Sequence, residues 1–208
     1  MSVTQSLLAF LAAATVLTIT PGLDTAMVLR ATTAGGARAG GFAAVGIGLG
    51  CLVWGAIVSL GLGALLAASA LAFTVLKWAG AAYLLWLGLV LVLRPRTRIE
   101  WGGDGAREAG AISSLRRGLL TNLLNPKVGV FYVTFLPQFV PAGASVAAFS
   151  FLLASIHVLL GLAWFAVLIA ATVPMTRLLT RPAVVRGLDR LTGGVFIAFG
   201  IKLALAKR

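Results

Sequence analysis

Thr20-Pro21-Gly22-Leu23-Asp24-Thr25 interrupts the first apolar stretch of the chain, and Asn122-Leu123-Leu124-Asn125-Pro126-Lys127 interrupts the fourth. Both stretches otherwise read as helices long enough to cross a bilayer. Proline inside a helix removes one hydrogen bond and crowds the preceding turn. In hydrocarbon, the freed backbone groups need partners from protein or from water in a cavity. Each interruption also carries a charged residue, Asp24 in one and Lys127 in the other, so the two are read together.

Around them lie six apolar segments, at about 6–29, 41–63, 73–93, 118–140, 146–173 and 188–206, each near the roughly twenty residues a spanning helix needs. Of the 208 residues, 60% are hydrophobic and 11% charged, whereas a soluble domain is nearer half apolar and a quarter charged. The expected fold is an all-α integral membrane protein with six transmembrane helices, a 3+3 inverted repeat with broken helices 1 and 4. It forms a single membrane domain over 1–208: residues 1–93 are the first three-helix half, 94–117 a cytoplasmic loop, and 118–208 the second half. The start, Met1-Ser2-Val3-Thr4-Gln5, lacks the basic residues of a signal peptide, so the first apolar stretch is expected to be retained.

The formal net charge is +12. In a soluble protein this would suggest a nucleic-acid partner. Here the arginines sit in alternate connections between spans: Arg30 and Arg38; Arg94, Arg96, Arg98, Arg107, Arg116 and Arg117; Arg177, Arg181, Arg186 and Arg190. The opposite face has only Lys207 and Arg208 at the C-terminus. That bias orients a membrane protein, with the arginine face in the cytoplasm and both termini outside. The expected surroundings are a lipid bilayer and no nucleic acid.

Pro21 lies nine residues before Arg30, and Pro126 nine after Arg117. At about 1.5 Å per residue, both breaks stand roughly 14 Å from a cytoplasmic arginine, close to mid-membrane. Three spans per half force the halves into opposite orientation. Inverted-repeat transporters bind substrate where such broken helices meet, with half-helix N-termini toward anions and loose carbonyls toward cations. A zwitterionic amino acid carries one of each. The expected substrate-binding residues are Pro21, Gly22, Asp24, Asn122, Asn125, Pro126 and Lys127. Asp24 would take the amine or a proton, Lys127 the carboxylate, and the two asparagines neutral hydrogen bonds. The plainer reading is a structural Asp24–Lys127 ion pair, since a mid-membrane charge needs a partner or a cavity.

His157 is the only histidine, and its ordinary pKa of about 6.5 suits a proton relay. Asp24 and His157 are therefore the expected proton-coupling residues, with packing as the plainer role of His157. No nucleotide-binding loop occurs, which leaves an ion gradient as the energy source. Cys51 is the only cysteine and reads as a small packing residue. One His, one Cys and one mid-span Asp are too few for a metal site, so no metal, no cofactor and no enzymatic activity are expected. Gly46 and Gly50 form a small-xxx-small pair, preceded by Gly36, Gly40 and Gly41; they suit close helix packing within the chain or in a homodimer. Lys77 reads as snorkelling outward, and the tryptophans and Tyr83 as packing or interface anchors.

The same stretches carry a family resemblance. Thr20 to Thr25 and Gly36-Ala37-Arg38-Ala39-Gly40 resemble the opening of the lysine exporter and homoserine/threonine resistance (LysE/RhtB) family. Asn125-Pro126-Lys127 through Phe135-Leu136-Pro137-Gln138-Phe139 is similar to its second signature. Weaker similarity runs through Lys77 to Leu84 and Arg190 to Gly194. The resemblance implies export of amino acids or related small metabolites from the cytoplasm across a bacterial inner membrane, driven by an ion gradient, with proton antiport as the expected form. Members usually have a second proline where this chain has Leu23, which predicts a softer first break here. Two other readings stand beside it: a permease for a cation or another small solute, which would use the same parts, and an accessory subunit without transport of its own, which would not need two polar breaks at matched depth.

Overall fold

The computed structural model describes residues 2–68, 70–96, 110–179 and 181–205, without the side chains of 62–73, 76, 77 and 202. These residues form helices and turns and no strand. The predicted snorkelling of Lys77 and most of the 94–117 loop lie outside the described residues.

Helix α1, Val3–Ile19, opens on a capping box. Ser2 Oγ accepts from the Gln5 N–H at 3.2 Å, and Gln5 Oε1 accepts from the Ser2 N–H at 3.0 Å. This satisfies two otherwise orphaned donors. The helix stops before Pro21: Thr20 takes the extended conformation that a following proline favours. Helix resumes at Leu23, so the first break is complete and not softened by the leucine at that position.

Helix α2, Leu23–Ala68, is bent at Gly35 and Gly36. Gly36 has φ 74°, a left-handed conformation that glycine adopts without penalty. A Cβ on Gly40 would collide with the Thr32 hydroxyl. Eight residues of straight helix would hold these positions about 12 Å apart, so the chain folds back sharply at the glycine corner. The predicted first connection is thus a corner between two arms, 23–34 and 37–68, and Gly36 serves as its turn.

The remaining helices are α3, Ala70–Leu93; α4, Ala111–Leu123; α5, Pro126–Val130; α6, Val146–Ala170; α7, Thr172–Leu179; and α8, Pro182–Leu205. Between α5 and α6 lie a π-helical turn, Phe131–Phe135, and a 3₁₀ turn, Leu136–Phe139. The sixth helix starts several residues earlier than predicted, at Pro182, a residue that fits the first helical turn. Among the described residues, α6 is long and apolar enough to cross a membrane, and so is α2 over Leu23–Gly61 when its length is counted through the glycine corner. Helix α4 and Pro126–Phe139, bent by 53° at the break, make a third span if taken as one. Helix α1 and Trp78–Leu93 are apolar but shorter.

Glycines set the helix contacts. A Cβ on Gly46 would strike the Leu115 carbonyl, and one on Gly50 would lie 2.5 Å from Asn122 Oδ1. The small-xxx-small pair therefore serves packing of α2 on α4 within one chain. Gly88 of α3 and Gly193 of α8 pack reciprocally, each Cβ position 2.7 Å from the other's carbonyl oxygen. Phe10, Phe131, Phe135 and Phe139 are buried in the core that joins α1 to the π turn. Outward, Leu60, Trp86, Leu93 and Leu159 are exposed, an apolar surface suited to lipid.

Candidate functional site

The two breaks meet, and each satisfies the other. At the end of α1 the carbonyls have lost their helical partners, and a helix C-terminus carries partial negative charge. Lys127 fills that place: its Nζ donates to the carbonyl oxygens of Leu17 at 3.0 Å and Thr20 at 2.9 Å. In the opposite direction, Asp24 is held by the second break. Asn122 Nδ2 donates to Asp24 Oδ2 at 2.8 Å, and Asn125 Nδ2 donates to Oδ1 at 3.1 Å.

Local sequence explains the placement. Asn125 caps α5 with its Oδ1, which accepts from the Lys127 N–H at 3.1 Å, and Pro126 follows at the first helical position. The cap orients Asn125 so that its amide still faces Asp24. Asn122 also donates to Cys51 Sγ at 3.3 Å. Cys51 is thus more than filler; it supports the asparagine that supports Asp24.

Asp24 and Lys127 do not form the ion pair that the plainer reading expected. Each is held by neutral groups of the opposite break. Both nevertheless line one cavity of about 60 Å³, together with Gly22, Asn125 and His157. That volume holds a handful of water molecules. His157 is buried, and its Nδ1 shares a hydrogen bond with the Tyr132 hydroxyl at 3.0 Å. Tyr132 belongs to the π-helical turn, a distortion often found at functional sites.

Three predicted residues stand off the cavity wall. Asn122 is fully buried behind Asp24. Pro126 borders a separate open groove beside Trp54 and Gly129. Pro21 offers its carbonyl to a residue that sequence reasoning passed over: Arg96 Nη2 donates to Pro21 O at 2.8 Å. The same guanidinium grips Asp189, with Nε to Oδ2 at 3.0 Å and Nη2 to Oδ1 at 2.5 Å, and the Arg96 N–H adds a bond to Oδ2 at 2.9 Å. Asp189 is fully buried and lies within α8, while the Arg96 side chain is 41% exposed. Thr20 and Thr192 also share a short hydroxyl hydrogen bond across these helices. The available signal was Asp189 itself, an acid in an apolar helix that requires a cation, but the sequence offers many arginines.

Two broken helices whose charged groups are exchanged around an internal cavity describe a membrane translocator. Residues 15–207 match the family model described as LysE type translocator, and the chain belongs to that family. It is 30% identical to a leucine efflux protein of Klebsiella pneumoniae, over 95% of this chain and 93% of the relative. A homoserine/homoserine lactone efflux protein of Salmonella typhimurium is 30% identical over 96% of each chain. An uncharacterized membrane protein of Bacillus subtilis is 32% identical over 97% of this chain and all of the relative. No solved structure gives a significant match.

Proposed function

We propose that this chain exports amino acids or closely related small metabolites from the cytoplasm across a bacterial inner membrane, exchanging them for protons. The observation that carries the reading is the crossing of the two breaks: a carboxylate and an ammonium, each held by the other half, around one internal cavity. An ammonium has three donors, and Lys127 spends two on carbonyls, which leaves one for a substrate carboxylate. Both Asp24 oxygens keep a free lone pair for a substrate ammonium or a proton. His157 shares the cavity and is the second candidate for the proton. The efflux activities named for the Klebsiella and Salmonella relatives agree with this reading.

The membrane arrangement proposed is six spans in two inverted halves, 1–93 and 118–208, within one domain, with both termini outside. The reciprocal contact of Gly88 and Gly193, one in the third span and one in the sixth, is what a two-fold relation between halves would produce.

The test is flux. Purified protein in proteoliposomes, loaded singly with a panel of labelled amino acids, should release at least one of them faster when a proton gradient favours exchange. Absence of release across the panel, from protein shown to be inserted and folded, would refute export. Release that ignores the gradient would refute proton coupling alone.

A further inference from the structure

The cavity changes character away from Asp24 and Lys127. On one side α2 lines it with Ala44, Ile47, Gly48 and Cys51. These are spaced i, i+3, i+4 and i+7, one face of a helix. On the other side α6 presents His157, Val158, Gly161, Leu162 and Phe165, again one face. Cys51 and His157 lie at the polar end, where Cys51 meets Asn122 and His157 meets Tyr132. Beyond them both faces are aliphatic or aromatic and carry no charge.

Within this wall Gly161 is distinctive. It lines the cavity, and no atom lies within 4 Å of the position its Cβ would take. Gly48, opposite, is tighter: its Cβ would meet Val158 Cγ1 at 3.4 Å. A Cβ at 161 would therefore enter the cavity without striking the protein, and any larger residue there would take room from whatever occupies it.

We infer that this apolar wall receives the substrate's side chain, that the side chain is uncharged and aliphatic, and that Gly161 sets the largest one accepted. The inference rests on the proposed reading in which Asp24 and Lys127 hold the charged groups common to all amino acids. A charged side chain directed at the wall would be stripped of water with no partner, which the burial of ions forbids. Between uncharged side chains, one methylene in an apolar pocket is worth roughly 10- to 200-fold in discrimination.

The experiment uses proteoliposomes loaded singly with labelled alanine, leucine, lysine or glutamate, and compares initial efflux rates for the native chain, Gly161→Ala and Gly161→Val. Leucine and alanine should leave the native protein at least about tenfold faster than lysine and glutamate. The leucine-to-alanine ratio should fall stepwise with the volume at 161, by about tenfold or more in Gly161→Val. Gly194→Val, on an exposed part of α8 with open space at its Cβ, should leave that ratio unaltered. Equal efflux of lysine and leucine would overturn the inference while leaving amino acid export standing. So would an unchanged leucine-to-alanine ratio, including a variant in which both rates drop together. If Gly161→Val fails to insert, the ratio in Gly161→Ala decides. If the native protein moves none of the four while it exports other amino acids, the aliphatic assignment is wrong; if it exports none at all, the proposed function falls with it.

Discussion

Lys127 donates its ammonium to the carbonyl oxygen of Thr20 at 2.9 Å, across 107 residues of chain. The contact joins the start of α5 to the end of α1 and places a positive charge at the negative end of a helix. Asp24 receives the reverse service from Asn122 and Asn125. Neither break is complete without the other.

Lys127→Ala should therefore affect both stability and transport. It leaves the Leu17 and Thr20 carbonyls without their donor, and a buried unpaired acceptor costs about 1–3 kcal/mol. The thermal midpoint in detergent should drop, and efflux should weaken while a proton-dependent remainder persists. A variant with native stability and native efflux rates would show that Lys127 serves neither purpose.

Asp24→Asn should abolish proton-coupled efflux while the protein still folds and inserts. One carboxylate oxygen becomes an amide nitrogen, which then faces the amide of Asn122 or Asn125, a local mismatch of about 1–3 kcal/mol. Because Asp24 and Lys127 are not paired with each other, the double variant Asp24→Asn/Lys127→Ala should not regain activity. Efflux measured with and without a proton gradient checks this. Full recovery in the double variant would make the two residues a charge pair after all and shift proton coupling to His157.

Arg96→Ala should destabilise the chain by about 3 kcal/mol, the low end for breaking a buried pair, because Arg96 is itself partly open to water. It leaves the Asp189 carboxylate buried without a cation and frees the Pro21 carbonyl. The double variant Arg96→Ala/Asp189→Asn removes the stranded charge and should regain part of the lost thermal stability. It should not regain full efflux, since Pro21 still lacks its donor. Thermal melts and flux on the three proteins separate the two effects.

Reporter fusions after residues 68, 105, 143 and 182 should read outside, inside, outside and inside. The arginine distribution and the folding back of α2 at Gly35–Gly36 both lead to this order. An outside reading at 105 would reverse the arrangement and put the Arg96 contact on the wrong face.

What the sequence by itself determined were properties governed by local rules. Twenty-residue apolar runs demand a bilayer, prolines at 21 and 126 interrupt helices, and arginines crowd alternate connections; each follows from neighbours along the chain. The polar residues of those breaks were legible for the same reason, and Gly22, Asp24, Asn125, Lys127 and His157 do line one cavity. Pairing was decided only by the tertiary structure. Whether Lys127 meets Asp24 or a carbonyl depends on how two breaks dock, and the docking depends on glycine contacts between helices far apart in sequence. The grip of Arg96 on Asp189 and Pro21 was likewise invisible, since arginines along a chain look alike until folding brings one of them to a buried carboxylate. The corner at Gly36 had a local cause, but its sharpness emerged only where Thr32 and Gly40 came face to face.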